Sequence, residues 1–256
     1  MRTYSANGIV LRRIDLGEKD RILTIFTREY GKLSAVAKGS RRPGGRFGSV
    51  SEPFTYSKLM LSSGRDLDVL SQCEIKESFP HIRCDIANIA YGIYMLELVN
   101  AFLDKRQPNP DMFDTLLSAM YILESGTDPE ITTRFFELQL LSILGYEPSV
   151  DACIRCGRRP ADGRIFFSSS LGGIVCARCD APPKDSVKAR AAVASYILAL
   201  RRAEPHKLKD MRVPKGARRD LALILRRHIR YQLEHDLKSV EFLDVVAATE
   251  VNCPPV

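Results

Sequence analysis

The chain contains no tryptophan and only four histidines in 256 residues. His81, His206, His228 and His235 stand outside any metal-ligand or nucleophile motif, so histidine-centred acid–base or hydrolytic chemistry has no frame here. The glycine-rich stretches lack the Gly-Lys-Ser/Thr ending of a phosphate-binding loop, which argues against a nucleotidase of that type. No carboxylate cluster suggests a divalent-metal nuclease. Asp66 and Asp68 read as solvated residues flanking a hairpin turn, and Asp15, Glu18 and Asp20 as a second polar loop. No apolar run approaches the roughly 20 residues needed to cross a bilayer. The start, Met1-Arg2-Thr3-Tyr4-Ser5, leads into a strand-like run without a secretory apolar region. These absences predict a cytoplasmic protein with no catalytic residue and no membrane partner.

Four of the seven cysteines form two CxxC pairs, Cys153-x-x-Cys156 and Cys176-x-x-Cys179, with 19 residues between the pairs. That spacing reads as a four-cysteine zinc site, in which each turn aims two thiolates at one tetrahedral centre. A closed shell of four thiolates leaves no open position, so one structural Zn2+ is expected and metal catalysis is not. Disulfides and unmetallated thiols are the alternatives. A cytosolic setting disfavours disulfides, and a short Gly- and Arg-rich ribbon has too few apolar residues to fold without metal. Cys73 and Cys84 read as small buried apolar residues, and Cys253 as part of a loose tail.

The net charge of +7 is unevenly spread. Met1–Pro80 carries 14 basic against 9 acidic residues, His81–Val150 carries 4 against 10, and Lys184–Arg230 carries 14 against 4. Two basic segments flank an acidic one, which points to a polyanionic partner at the flanks.

Hydrophobic alternation predicts five strands, over Ala6–Ile14, Arg21–Thr27, Lys32–Lys38, Phe54–Leu61 and Asp68–Lys76. Five short strands with a loop after the third match an OB-fold barrel, with an SH3-like barrel as the alternative on pattern. After Pro80 the period becomes helical. Helices are expected over Asp85–Phe102, Asp111–Leu123, Pro129–Leu144, Val187–Leu200 and Arg218–Leu237, the third apolar nearly all round and therefore central. The expected fold is α+β: residues 1–80 an OB-fold domain, 81–150 the first part of a helical domain, 151–183 an inserted zinc ribbon, 184–246 the basic second part of the helical domain, and 247–256 a disordered tail.

The loop after the third strand joins Lys38, Arg41, Arg42 and Arg46 to four glycines, and no acid occurs between Tyr30 and Ser51. Glycines admit a phosphate backbone and guanidinium forks bind its oxygens. Lys32 extends the patch, and Phe47 is the candidate stacking ring. Phe54 and Tyr56 are divided between core and stacking. In the second basic segment Arg201, Arg202, Arg218 and Arg219 are expected to meet phosphates, without reading bases.

Three blocks together resemble the RecO family of bacterial DNA repair and recombination mediators. The first is Ala6-Asn7-Gly8-Ile9-Val10-Leu11 with Gly17-Glu18-Lys19-Asp20-Arg21 and Thr27-Arg28-Glu29-Tyr30-Gly31-Lys32. The second is Ala37-Lys38-Gly39-Ser40-Arg41-Arg42 with Arg46-Phe47-Gly48 and Glu52-Pro53-Phe54. The third is Leu141-x-x-Leu144-Gly145-Tyr146-x-Pro148 leading into Cys153-x-x-Cys156-Gly157. The resemblance covers about residues 4 to 240. It implies an N-terminal OB-fold, a helical domain and zinc held by Cys153, Cys156, Cys176 and Cys179. It also implies binding of single- and double-stranded DNA, annealing of complementary strands, cooperation with RecR, engagement of the acidic tail of single-strand-binding protein, and help in loading RecA. The tail is expected near Lys184–Arg230, where cations adjoin apolar residues. A zinc-containing RNA-binding module is the competing reading, since barrels and ribbons of both kinds also serve RNA.

Overall fold

The computed structural model describes residues 2–159, 163–179 and 182–250. Strands β1 (Thr3–Leu16), β2 (Asp20–Thr27), β3 (Gly31–Ala37), β4 (Tyr56–Ser62) and β5 (Asp68–Glu77) close a barrel in the order β1-β2-β3-β5-β4. The long β1 serves two partners, pairing Gly8–Leu16 with β2 and Thr3–Ile9 with β4, and an irregularity between Val10 and Arg12 bends it from one to the other. Only β3 and β5 run parallel. The alternation read from the sequence is the alternation of burial: Leu33, Ala35 and Ala37 face a core built with Val10, Leu23, Ile25, Leu59, Leu61 and Leu70. At the β2–β3 turn Gly31 has φ +68°, and a Cβ there would lie 2.1 Å from the Gln107 carbonyl oxygen. Only glycine fits that approach. This is the five-stranded OB-type barrel expected.

In chain order the helices are α1 (Pro80–Cys84), α2 (Ile86–Phe102), α3 (Pro110–Glu124), α4 (Pro129–Ile143), α5 (Ala192–Arg201), α6 (Lys215–Leu233) and α7 (Ser239–Glu250). Asp85, Asn109 and Asp128 cap α2, α3 and α4 by accepting backbone N–H bonds of the first turn, and Pro110 and Pro129 open two of these helices. Between α4 and α5 lies a three-stranded sheet of β6 (Arg164–Ser168), β7 (Gly173–Cys176) and β8 (Val187–Arg190), with β6 central. The expected helix over Val187–Leu200 is therefore corrected. Its first four residues pair with β6, and the helix starts only at Ala192.

The chain forms two compact units, one reaching Gly126 and resuming at Lys238, the other Thr127–Leu237. This division differs from sequence boundaries near residues 80 and 150, and long-range contacts explain why. Phe113 of α3 meets the rings of Phe26 and Tyr56 on the barrel. Glu97 of α2 accepts the Lys238 and Ser239 N–H groups at the start of α7. Arg106 binds both carboxylate oxygens of Asp68 at 3.0 Å. Asp68 is not a solvated turn residue, as the sequence suggested; it is fully buried and also accepts bonds from the Tyr4 hydroxyl and the Gly64 N–H. Burial and this neighbouring carboxylate push the Tyr4 phenol well above its usual range.

In the second unit α4 is buried almost all round, as expected, and holds a fully buried Arg134–Glu137 ion pair at 2.8 Å. Of the unpaired cysteines, Cys73 is half-buried against the barrel core, whereas Cys84 is exposed. The expected disordered tail begins inside α7, which reaches Glu250; Cys253 and the rest of 251–256 lie outside the described residues. Among the described residues no helix is long and apolar enough to cross a membrane.

Candidate functional site

The four cysteines converge. Cys176 ends β7, and turns closed by Gly157 N–H to Cys153 O (2.8 Å) and Cys179 N–H to Cys176 O (3.2 Å) fold each CxxC back on itself. All four sulfurs lie within 4.8 Å of one another, with Cys153–Cys179 at 3.8 Å, Cys156–Cys176 at 3.7 Å and Cys176–Cys179 at 3.7 Å. Metal–sulfur bonds of about 2.3 Å in a tetrahedron separate the sulfurs by about 3.8 Å. A disulfide needs about 2.05 Å. The cluster has the dimensions of a tetrahedral thiolate site and not of two disulfides.

Local electrostatics point the same way. Burial raises the Cys153 thiol, but N–H donors from Cys176, Cys156 and Arg155 outweigh it and bring the pKa to about 6. The Arg178 N–H lowers Cys176. Burial, followed by the three neighbouring thiols, pushes Cys179 up to about 12. Four thiolates cannot share this space without a cation among them, so the donor set suits a soft metal ion.

The β3–β4 loop is a chain of tight turns. Gly39 N–H binds Asp20 (2.8 Å), Arg41 N–H binds Lys19 O (3.1 Å), Gly45 N–H binds Arg42 O (2.8 Å) and Gly48 N–H binds Gly45 O (2.9 Å). Lys38, Arg42 and Arg46 are exposed and form no ion pair among the described residues. Arg41 is braced against the β1–β2 turn, donating to Gly17 O and lying 3.5 Å from Asp15. Two sequence expectations are corrected here. Phe47 is no open stacking ring: at 8% exposure it packs with Val50 into the barrel core, beneath the Arg46 guanidinium at 5.5 Å. Lys32 is no surface cation: its half-buried ammonium donates to the Asn100 carbonyl, and burial lowers its pKa. Phe54 is also buried, and Tyr56 lies against Phe113 and the Lys76 ammonium.

In the second unit the four predicted arginines divide. Arg202 and Arg219 are exposed without ion pairs among the described residues. Arg201 is taken up by Glu147 and Asp151, and Arg218 by Asp128 at 2.6 Å and Glu130 at 3.3 Å. Those two expectations are corrected because a neutralised guanidinium gains little from a phosphate. Carboxylates distant in sequence carry no local signal of that pairing.

Two concavities went unrecognised in the sequence. In the first unit a cleft of about 470 Å3 has an aliphatic floor including Leu11, Ile93 and Leu96, with Arg12, Arg13 and Lys238 among its lining. In the second unit a more open groove of about 680 Å3 is lined by Tyr146, Arg227, Arg230, Tyr231, Gln232 and Glu234.

Family comparison joins these features. Residues 1–79 match the model "Recombination protein O N terminal" and residues 83–241 match "Recombination protein O C terminal". The chain is 41% identical over 244 residues to a DNA repair protein RecO of Pelotomaculum thermopropionicum, covering 95% of this chain and 94% of the relative. It is 36% identical over 249 residues to the RecO of Symbiobacterium thermophilum (96% and 98%), and 32% identical over 246 residues to that of Caldicellulosiruptor saccharolyticus (96% and 100%). With both halves matched in order and relatives similar along nearly their whole length, the chain belongs to the RecO family of DNA repair proteins.

Proposed function

We propose that this protein is a non-enzymatic recombination mediator that binds single- and double-stranded DNA and anneals complementary strands. In this reading it works with RecR, meets the acidic tail of single-strand-binding protein and helps RecA load, acting in the cytoplasm on nucleoid DNA. Family membership over nearly the whole chain supports it. The observation that carries the DNA reading is the β3–β4 loop, which holds Lys38, Arg42 and Arg46 outward on a fixed backbone beside a barrel. Cations held without an ion-pair partner release counterions when they meet phosphate. Annealing requires no covalent step, only relief of repulsion between strands and a raised effective concentration. Unpaired cations on both compact units, Arg202 and Arg219 serving the second, supply both.

We assign Zn2+ to Cys153, Cys156, Cys176 and Cys179, which would hold β7 and the two CxxC turns together. The metal has a structural role, because four thiolates fill its shell.

Binding of a labelled oligonucleotide, titrated with salt, tests the reading. The log affinity should fall with log salt by roughly 0.7 per phosphate contact on single strands. Replacing Lys38, Arg42 and Arg46 by Ala should weaken DNA binding and flatten that slope. Equal affinity for RNA and DNA, with no annealing, would favour the RNA-binding module instead.

A further inference from the structure

The outward face of α6 carries a pattern that the family reading does not use. Arg219, Leu223, Arg227 and Tyr231 recur every fourth residue, so they form one stripe along the helix, and all four are exposed. The inward positions Leu221, Ile224, Leu225, His228 and Ile229 are buried and fix the helix in place. The stripe ends in the 680 Å3 groove, whose lining Tyr231 (49% exposed) and Tyr146 (42% exposed) share with Arg227 and Arg230. Large aromatic rings left half in water beside guanidinium groups suit a planar, anionic, stackable ligand.

We propose that this groove and stripe form a binding track for single-stranded nucleic acid, with Tyr146 and Tyr231 stacking on bases and Arg227 and Arg219 meeting phosphates. This rests on the DNA-binding reading above and adds to it a site that grips bases. Arg227 forms no ion pair among the described residues, whereas Arg230 is shared with Asp236 at 2.8 Å, so Arg227 is the stronger phosphate clamp. Gln232 and Glu234 also line the groove and offer acceptors to base amino groups. From Arg219 to Tyr231 the helix rises about 18 Å, at 1.5 Å per residue. That spans about five stacked nucleotides at about 3.4 Å each along one strand.

An acidic, apolar peptide is the other occupant to weigh, and the groove suits it less. Its lining is aromatic and polar, and Glu234 would face the peptide's own carboxylates. The cleft with an aliphatic floor lies in the first unit.

The absence of tryptophan makes a direct test available. Tyr231→Trp in the full chain gives a single indole reporter at the proposed stacking position. It is titrated with a dT oligonucleotide of about 15 residues, and in parallel with a peptide ending in several acidic residues and a Phe. The proposal expects strong quenching by the oligonucleotide, part of it surviving in salt that abolishes ion pairing. A second variant, Tyr231→Ala in the Arg42→Ala, Arg46→Ala background, isolates the site from the barrel. There the remaining oligonucleotide affinity should fall by about 5- to 160-fold, the range for losing one base–aromatic stack. Unchanged Trp emission while the oligonucleotide still binds would overturn the track and leave the barrel reading standing. Quenching by the peptide alone would overturn it in favour of a protein partner. Failure of both the wild-type chain and the variants to bind the oligonucleotide would remove the DNA-binding reading and the track together.

Discussion

Replacing Phe47 by Ala separates the two roles open to the aromatic ring of the basic loop. The ring lies among basic residues and glycines in sequence, yet it is 8% exposed and packs with Val50 in the barrel core. Truncating a buried Phe costs about 3–5 kcal/mol through lost transfer and cavity formation, and a loop ring that keeps 8% exposure falls toward about 3. At roughly 3 °C per kcal/mol for a body of this size, the barrel unit should melt about 10 °C lower. Calorimetry or circular dichroism reads this directly, with single-strand affinity measured well below the transition. The contrast is Arg42→Ala with Arg46→Ala. These exposed substitutions should leave melting nearly unchanged, apart from the modest cation–π contact of Arg46, and should flatten the salt slope by about 1.4. Unchanged melting of Phe47→Ala together with a large loss of single-strand affinity would refute the packing assignment and restore Phe47 as a stacking ring.

Three further outcomes follow from the geometry. Elemental analysis should find one zinc per chain, and Cys176→Ser should reduce it and destabilise the ribbon, since structural zinc contributes about 10–16 kcal/mol in small zinc modules; normal melting with lost DNA binding would contradict a structural metal. Asp68→Asn removes the charge held by Arg106 and Tyr4 and should cost about 1–3 kcal/mol, read by denaturant titration, the low end reflecting the half-exposed Arg106. Burial lowers the pKa of His228 below its ordinary 6.5, with its Nε2 bonded to Tyr146 O at 2.8 Å and its Nδ1 without a hydrogen-bond partner among the described residues. Below about pH 6.5 the unfolded chain therefore binds the proton first, so this stability is complete above that value and declines as the pH falls; melting measured between pH 7.5 and 5 should show it, and His228→Gln should reduce the slope.

Where side chains met neighbours close in sequence or repeated at a regular period, the sequence was a reliable guide. The five strands appear within a few residues of their alternating runs, and helices α2, α3 and α4 begin within one residue of the expected Asp85, Asp111 and Pro129. The cysteine cluster was legible because CxxC is a local turn. What escaped notice depends on distance. Val187–Arg190 is too short for its alternation of apolar and basic residues to be told from the start of α5, and its pairing with β6 makes it a strand. Arg201 and Arg218 look like free cations until Glu147 and Asp128, 54 and 90 residues away, are brought against them. Phe47 looks like a loop aromatic until the turns around it direct the ring inward, and Asp68 looks like a turn residue until Arg106 arrives.

Strand annealing tests the central claim most directly. Two complementary labelled oligonucleotides, each coated with single-strand-binding protein, are mixed with this protein without ATP or magnesium. The account predicts faster annealing that weakens with salt and with Ala at Lys38, Arg42 and Arg46. No acceleration by a folded, metal-loaded protein would contradict the mediator assignment.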